Sequence, residues 1–298
     1  MGKQMKKVIS LVSALIAVIG AVFFWNQDKP VVNQPAYTIS LSEVPAFSNN
    51  PYVVLYDNEP FFEETEITTS SYEYYSPLDE LGRCGYTMAC IGRDLMPTDD
   101  RESISSVKPT GWVQAQYDWV DGGNLYNRCH LIGFQLTGEN ANEQNLITGT
   151  RYCNVEGMLP FENQVADYVR QTGNHVLYRV TPIFAENELV ARGVQMEAWS
   201  VEDDGEGVCF HVYVYNNQPG VVIDYATGYS YPEGETPTTA QTHTTGESTY
   251  ILNTISKKFH TDDCSQGVSI KDSNKDTYSG DRDDLIEMGY TPAKCCNP

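Results

Sequence analysis

Basic residues are scarce in this chain of 298 residues. Lys and Arg number 19 against 40 Asp and Glu, which gives a formal net charge of −21 and an isoelectric point near 4.4. Such a charge opposes the sequence-independent attraction that brings many proteins to a phosphate backbone. Composition alone therefore argues against a polyanion-binding protein, and any such binding must depend on a local basic groove and a metal.

Two further features are missing or rare. No internal repeat recurs with a period of about 20 to 50 residues, which excludes solenoid and propeller arrays. Histidine occurs only five times; His175 and His211 lie in strand patterns and are expected to be core or sheet-face residues, and His243 lies in the linker and is expected to have no role. What the chain does have is 41% hydrophobic and 11% aromatic residues, enough to bury a substantial core. These values exclude a disordered chain and favour one large domain with attachments.

Long apolar runs are also rare, and the clearest one lies at the N-terminus. Lys3, Lys6 and Lys7 precede an uncharged stretch from Val8 to Trp25. Positive charge before such a stretch places the N-terminus in the cytoplasm and the rest of the chain outside. Residues 1–25 are therefore a signal anchor or a signal peptide. The length and the lack of a clear cleavage site favour the membrane anchor, and residues 26–38 are expected to form a stalk.

A single large domain is expected over residues 39–232. Short β-branched or alternating runs predict strands, and spacings of three and four residues from Met158 to Val169 predict an amphipathic helix that Gly173 ends. The alternation in the last strand further predicts a half-buried antiparallel sheet. The predicted strands are Pro51–Leu55, His175–Phe184, Glu188–Val201 and Val208–Tyr215.

A Thr-rich, apolar-poor stretch then predicts an exposed linker over residues 233–248. Beyond it, residues 249–298 form a small module that begins with a predicted strand at Tyr250–Asn253. A module of this size has too few residues to rely on a hydrophobic core, so a metal or a disulfide is expected to support it.

Groups that can perform chemistry are concentrated between Tyr126 and Glu162. His130 is a titratable base close to a fixed cation, Arg128, and neutral oxygen ligands follow at Asn145 and Asn154 before the predicted helix that carries Glu162. This set suits attack on a phosphodiester beside a hard divalent cation, because Mg²⁺ prefers oxygen ligands and keeps several waters. Arg128 would add a bidentate contact to the phosphate.

The segment Asn127-Arg128-Cys129-His130, together with Asn145-Leu146-Ile147-Thr148, Asn154 and Glu162, resembles the DNA/RNA non-specific endonuclease family, its streptococcal DNases in particular. The similarity covers roughly residues 75–220. It implies an α+β fold, an antiparallel sheet core with a ββα-metal (His-Me) finger. The family sequence is usually Asp-Arg-Gly-His, so Asn127 and Cys129 are departures that put the reaction rate in question.

The resemblance also implies a role for each residue. His130 would be the general base, Asn154 the direct Mg²⁺ ligand, Asn145 a supporting polar group and Glu162 the holder of a metal-bound water. Mn²⁺ is a potential substitute for Mg²⁺. The implied activity is an extracytoplasmic, sequence-independent endonuclease acting on DNA, with RNA as a further substrate, and leaving 5′-phosphate and 3′-hydroxyl ends.

Each of these residues also has a plain structural alternative. Asn145 could satisfy buried backbone groups, Glu162 could complement the helix dipole, and Arg128 could form a structural ion pair. The charge of −21 and the two departures motivate a second function, a cell-surface nucleic-acid-binding or adhesion protein with an impaired nuclease domain. The oligomeric state is left open.

Eight cysteines outside the cytoplasm favour disulfides, yet the five before residue 233 leave an odd one. In the tail, His260 and Cys264 lie four residues apart, and Cys295 and Cys296 lie close to the end of the chain. These residues resemble a small C-terminal module of bacterial nucleases, and three outcomes stay open for them: a Zn²⁺ site, a disulfide such as Cys264 to Cys296, or neither. A zinc-dependent hydrolase built on them is a third functional hypothesis.

Overall fold

The computed structural model describes residues 38–235, 248–262, 264–280, 285, 288–293, 295 and 296. The predicted membrane segment, all but the last residue of the stalk and most of the Thr-rich linker lie outside these residues. Within the described part of the chain, no helix has both the length and the apolar character needed to cross a membrane.

A six-stranded antiparallel sheet forms the centre of the large domain. Its strands are β1 (Tyr52–Val54), β2 (Tyr72–Tyr75), β3 (Thr87–Ile91), β6 (Val176–Ile183), β7 (Gly193–Ser200) and β8 (Cys209–Tyr215). Their spatial order in the sheet is β1-β8-β7-β6-β3-β2. Strands therefore form in each of the four segments where alternation and β-branching predict them.

Two antiparallel hairpins lie outside this sheet. The first pairs β4 (Tyr126–His130) with β5 (Leu146–Thr150), and the second pairs β9 (Val221–Ile223) with β10 (Ser230–Pro232). A short helix, α1 (Phe134–Thr137), lies between β4 and β5. After β5 come a π-helical segment (Cys153–Met158) and the long helix α2 (Leu159–Thr172). The first hairpin and α2 together make a ββα unit within an α+β fold.

Helix α2 confirms the helix that residue spacing predicts. It ends at Gly173, whose φ of 78° is left-handed and easy for a residue without a Cβ, and the Gly173 N–H closes the last turn on Val169 O. Its buried face carries Val165, Ala166 and Val169 into the main hydrophobic core, where they meet alternate side chains of the large sheet. The helix therefore fixes the hairpin against the sheet.

The sheet is buried on both faces, which differs from the half-buried sheet that the alternation in β8 predicts. Phe210, Val212 and Val214 enter the core beneath α2. The opposite side chains of β8 are covered by the segment that precedes β2: His211 contacts Glu59 O, and Tyr213 and Tyr215 join a second apolar cluster. A tertiary contact from residues 39–66 therefore covers the face expected to meet solvent.

A wholly buried ion cluster lies on this covered face. The guanidinium of Arg179 bonds to Glu197 at 2.9 Å and to Glu66 at 3.3 Å, and it also donates to Phe61 O at 2.6 Å. Burial alone would lower the pKa of Arg179, but the two carboxylates overcome this effect and raise it. The cluster ties the N-terminal covering segment to the sheet through fully desolvated charges.

We expect Glu197→Gln to lower the free energy of unfolding by about 3 to 5 kcal/mol, because it leaves the buried charge of Arg179 poorly compensated. The matched control is Asp121→Asn, which removes the exposed ion pair with Arg151 at 2.7 Å. That change is expected to cost about 0 to 1 kcal/mol. Urea denaturation measures both, and equal losses in the two variants would contradict a stabilising role for the buried cluster.

The C-terminal residues form their own four-stranded sheet. Its strands are β11 (Ser248–Asn253), β12 (Lys258–Thr261), β13 (Lys275–Gly280) and β14 (Thr291–Pro292), and a one-turn helix, α3 (Ser265–Val268), follows β12. The spatial order of the strands is β13-β11-β12-β14. Its buried core is small and consists of Tyr250, Leu252, Phe259, Leu285 and Tyr290. The predicted strand at Tyr250–Asn253 is part of β11.

Candidate active site

His130 is the last residue of β4 and lies at the edge of the ββα unit. Its side chain is only 5% exposed. Nε2 lies 3.0 Å from Asn140 O, and Nδ1 lies 3.3 Å from Nη2 of Arg101. Because a carbonyl oxygen can only accept, Nε2 carries the proton, and the lone pair of Nδ1 accepts from Arg101. The contacts therefore fix one tautomer of a neutral imidazole.

Burial is the main reason that this imidazole stays neutral. Desolvation lowers the pKa of His130 to about 4, and the nearby charge of Arg101 acts in the same direction. The hydrogen bond to Asn140 O opposes the shift without cancelling it. At neutral pH the ring is therefore in the form that can accept a proton.

This shift gives a direct prediction for the metal-free protein. The ring resonances of His130 should stay at their neutral positions from pH 8 down to about pH 5 and move only as the pH approaches 4, because the folded pKa is depressed. NMR titration measures this, and His130→Gln identifies the signal by its loss. A resonance assigned in this way that titrates near pH 6.5 would contradict the buried, neutral imidazole.

Asn154 lies in the π-helical segment and contacts two residues of β4. Its Nδ2 donates to Oδ1 of Asn127 at 3.3 Å, and its Oδ1 accepts from the thiol of Cys129 at 3.1 Å. Both residues that depart from the family sequence thus orient this one amide. Asn127 keeps the acceptor that an aspartate would offer, so the Oδ1 atom of Asn154 retains a defined direction.

The side chain of Cys129 fits because its neighbour across the hairpin has none. A Cβ added to Gly149 would lie 2.5 Å from Cβ of Cys129. The thiol is fully buried against Met158, and desolvation raises its pKa well above the usual value. It is therefore a neutral S–H donor. Glycine at position 149 accommodates the bulk that cysteine brings to position 129.

The π-helical segment changes the angle between Asn154 and Glu162. In a regular α-helix, eight residues advance about 80° beyond two full turns. Here the N–H of Leu159 bonds to Asn154 O, an i to i+5 bond that widens the turn and reduces that offset. Both oxygen-bearing side chains are thereby brought closer to one side of the helix. Residue spacing predicts the helix but does not reveal this wider turn.

The carboxyl group of Glu162 is buried in the first turn of α2. It packs against the backbone of Gly133, where an added Cβ would lie 2.5 Å from Oε2. Desolvation raises its pKa to about 7, and Gln135 and the charge of Arg101 lower it only in part. No ion pair of the described residues involves Glu162. A bound cation would favour its ionised form.

Arg128 and Asn145 both make contacts that support the site. The Nε of Arg128 donates to Val107 O at 2.5 Å and its Nη2 to Ser105 O at 3.1 Å, with its guanidinium over the ring of Trp112. Asn145 is fully buried and bonds through both amide atoms to the backbone of Ile132, two residues after His130. Asn145 thus holds the loop that follows the imidazole.

A cleft of about 310 Å³ opens beside these residues. Its lining includes Arg101, Arg128, Arg151, Asn127 and Asn154 and no acidic side chain. His130 lies behind Arg101, which borders both the imidazole and the cleft. The described protein therefore offers a locally basic groove in spite of its acidic composition.

Arg101 is the residue that sequence reasoning missed. It lies 29 positions before His130, in a turn-rich stretch, and no spacing rule connects the two. Its exposed guanidinium reaches Nδ1 of His130 and lies 5.9 Å from the ring centroid of Phe134. A second cavity of about 320 Å³, which touches Thr38 and Thr181, has no charged residue in its lining and is not a candidate for this chemistry.

The sequence leaves open whether the cysteines form disulfides. In the structure, all eight are free thiols. Those of the large domain are Cys84, Cys90, Cys129, Cys153 and Cys209. The predicted tail residues, His260, Cys264, Cys295 and Cys296, do come together, with their ligand atoms all within 4.8 Å of one another. They lie in the C-terminal sheet module, apart in sequence from the residues around His130.

Comparisons with known proteins agree with this geometry. A family model described as "DNA/RNA non-specific endonuclease" matches residues 63–202. Among solved structures, the magnesium-bound form of NucA from Streptococcus agalactiae is 26% identical over 61% of this chain and 87% of NucA, with a TM-score of 0.55. The metal-free form of NucA is 25% identical over 64% of this chain and 92% of NucA, with a TM-score of 0.56.

Sda1 nuclease with bound zinc ion is 28% identical over 60% of this chain and 95% of Sda1, with a TM-score of 0.48. No curated protein matches the chain. The family match spans β2 to β7 and includes the hairpin, the π-helical segment and α2. The chain therefore carries, over residues 63–202, a nuclease domain of the DNA/RNA non-specific endonuclease family.

Proposed function

We propose that this nuclease is an extracytoplasmic, Mg²⁺-dependent endonuclease that hydrolyses phosphodiester bonds of DNA, and also of RNA, without sequence preference. The observation that carries the proposal is the state of His130, a neutral imidazole with its proton on Nε2 and the lone pair of Nδ1 directed to the cleft-lining residue Arg101. That arrangement supplies a proton acceptor next to a cation that binds phosphate.

In this mechanism a phosphodiester enters the cleft and its oxygens accept hydrogen bonds from the guanidinium of Arg101. This contact draws Arg101 away from Nδ1 of His130, and a water takes its place. Nδ1 removes a proton from the water as its oxygen attacks phosphorus. The bond to Asn140 O steadies the ring while it is charged. General-base catalysis of this kind contributes typically about 10² to 10⁴-fold.

The residues around Asn154 suit a hard divalent cation. Asn154 Oδ1 would bind it directly, and the carboxylate of Glu162 would hold one of its waters, so that both donors are oxygens. When bound, Mg²⁺ stabilises the negative charge that develops on the phosphate and on the leaving oxygen. Mn²⁺ accepts the same donors and is expected to replace it. The magnesium-bound form of the related NucA supports this choice.

The cleft also supports a lack of sequence preference. Its charged residues are three arginines, Arg101, Arg128 and Arg151. Contacts from such groups to phosphates position a nucleic acid without reading its bases. If the oxygen of the attacking water bonds to phosphorus and the bond from phosphorus to the 3′-oxygen breaks, one product carries a 5′-phosphate, and the 3′-oxygen takes up a proton from solvent to give a 3′-hydroxyl on the other.

Cellular location is proposed from the N-terminal residues. Lys3, Lys6 and Lys7 before the apolar stretch at residues 8–25 favour export of the nuclease domain, either tethered through this segment or released after cleavage. The substrate would then be nucleic acid outside the cytoplasm.

A plasmid assay tests the proposed function. Supercoiled plasmid incubated with the protein and Mg²⁺ should be nicked, linearised and then degraded, and excess EDTA should stop the reaction. Product ends should be ligatable without prior phosphorylation, as expected for 5′-phosphates. Intact plasmid in the presence of Mg²⁺ or Mn²⁺, or cleavage that is unaffected by EDTA, would overturn the proposal.

A further inference from the structure

We propose that the C-terminal module binds one Zn²⁺ ion through His260, Cys264, Cys295 and Cys296, separately from the nuclease site. Nδ1 of His260 lies 3.4 Å from the sulfur of Cys264 and 3.4 Å from that of Cys295. The sulfurs of Cys264 and Cys295 are also 3.4 Å apart. Cys296 completes the group. Its sulfur lies 3.8 Å from Nδ1 of His260 and 3.9 Å from the sulfur of Cys295.

These separations are close to those of a tetrahedral zinc site. Zn–S bonds of about 2.3 Å and Zn–N bonds of about 2.05 Å place two sulfur ligands about 3.8 Å apart and a sulfur and a nitrogen about 3.6 Å apart. All five measured edges, from 3.4 to 3.9 Å, lie within a few tenths of an ångström of these values. The four atoms can therefore surround a single ion with little movement.

A disulfide accounts less well for the same group. It would join only two of the three sulfurs, at about 2.05 Å. The three thiols instead converge on the imidazole nitrogen, and all are free. Three thiols and one histidine fill the four positions of a tetrahedral ion, which describes a closed structural site. A hydrolytic zinc centre needs an open position, so the tail is not a second hydrolase.

The topology of the module explains how distant residues reach one point. Strand β14 pairs in parallel with β12, and Ala293 N donates to Phe259 O at 2.9 Å, which places the end of the chain beside His260. Cys264 precedes α3, and that helix approaches closely because Gly267 has no side chain: an added Cβ would lie 2.7 Å from Cβ of His260.

The ion would supply stability that the small core lacks. The main apolar cluster of the described module holds five buried side chains, and domains of about 50 residues usually need a metal or disulfides. One ion would connect β12, the start of α3 and the C-terminal end of the chain. Soft thiolate ligands select zinc here, whereas the oxygen donors near His130 select magnesium.

Metal analysis of the full chain tests this proposal. Protein kept reduced, loaded with Zn²⁺ and passed through a desalting column in Mg²⁺ buffer should retain one zinc per chain. Cys264→Ser and the double variant Cys295→Ser/Cys296→Ser should lose it, and Cys209→Ser, a thiol of the large domain, should keep it. All three are expected to cleave plasmid at the wild-type rate, which shows that the nuclease domain is folded.

Cobalt substitution keeps the test decisive if the tail variants unfold locally. Wild-type protein with Co²⁺ should show the intense visible bands of a tetrahedral ion and a thiolate-to-metal charge-transfer band. The proposal would be overturned if the wild-type protein held no zinc after loading, or if its cobalt form showed only the weak bands of an octahedral ion. It would also be overturned if Cys264→Ser kept the wild-type zinc content, or if mass spectrometry found a Cys264–Cys295 disulfide. None of these results depends on whether the protein cleaves DNA.

Discussion

Replacement of His130 by alanine is expected to lower kcat for plasmid or oligonucleotide cleavage by about 10² to 10⁴-fold, the usual contribution of a positioned general base. The imidazole is neutral because it is buried, and its tautomer is fixed by Asn140 O. Alanine removes the proton acceptor and leaves the basic cleft in place. Initial rates at saturating Mg²⁺ and several substrate concentrations separate the loss in kcat from a change in KM.

The matched control for this variant is His175→Ala. His175 precedes β6 and bonds through Nδ1 to Glu202 at 2.6 Å, in a partly exposed pair on the large sheet domain. Its removal should leave kcat within about a factor of two, since it has no contact with the proposed site, and circular dichroism should report a native fold for both variants. Equal activity of His130→Ala and wild type would refute the assignment of the base.

Asn154→Ala is expected to have the second largest effect, a loss of at least about 10²-fold in kcat/KM together with a higher Mg²⁺ concentration for half-maximal rate. A divalent cation contributes several kcal/mol of charge stabilisation to such reactions, and alanine removes its proposed direct ligand. Asn127 and Cys129 would then lose the amide that they orient. Cleavage rates measured across a Mg²⁺ series give both quantities.

Asn174→Ala provides the comparison. This asparagine follows α2 and donates to the Tyr168 hydroxyl at 3.0 Å. The substitution should leave the Mg²⁺ dependence unchanged. An Asn154→Ala variant with an unchanged Mg²⁺ midpoint, even at reduced rate, would show that Asn154 does not hold the metal and would point to a purely structural role.

Residue patterns predicted helix α2 and strands β1 and β6 to β8 of the large domain, because these elements have strong local signals. What they could not predict comes from contacts between distant segments. The cover of the sheet by residues 39–66 depends on Arg179 meeting Glu66, 113 positions earlier in the chain. The alternation of residues in β8 does not indicate that its second face is also buried.

Contacts between distant segments also limit what the sequence predicts about the candidate site. His130, Asn154 and Glu162 are candidates because of their residue types and because of the resemblance to the endonuclease family. Arg101 is not, because it comes from an irregular stretch that folding brings to the imidazole. The π-helical segment after β5 is also not evident, since i to i+5 bonding changes the direction of side chains without changing the sequence pattern.

The two departures from the family sequence are accommodated locally. Asn127 accepts the hydrogen bond of the Asn154 amide, and Cys129 fills space left by Gly149. Both changes leave Asn154, Glu162 and His130 in place. The acidic composition is likewise compatible with nucleic-acid cleavage, because the cleft lining carries arginines and no acidic side chain. These contacts favour a working nuclease over an impaired binding protein.

Chemical rescue of His130→Gly by free imidazole tests the central claim most directly. The account predicts that added imidazole restores Mg²⁺-dependent plasmid cleavage in a saturable way, in proportion to its neutral form, while it leaves the wild-type rate unchanged. Full activity of His130→Gly without imidazole, or no rescue in a folded variant at any imidazole concentration, would contradict the role of His130 as the base.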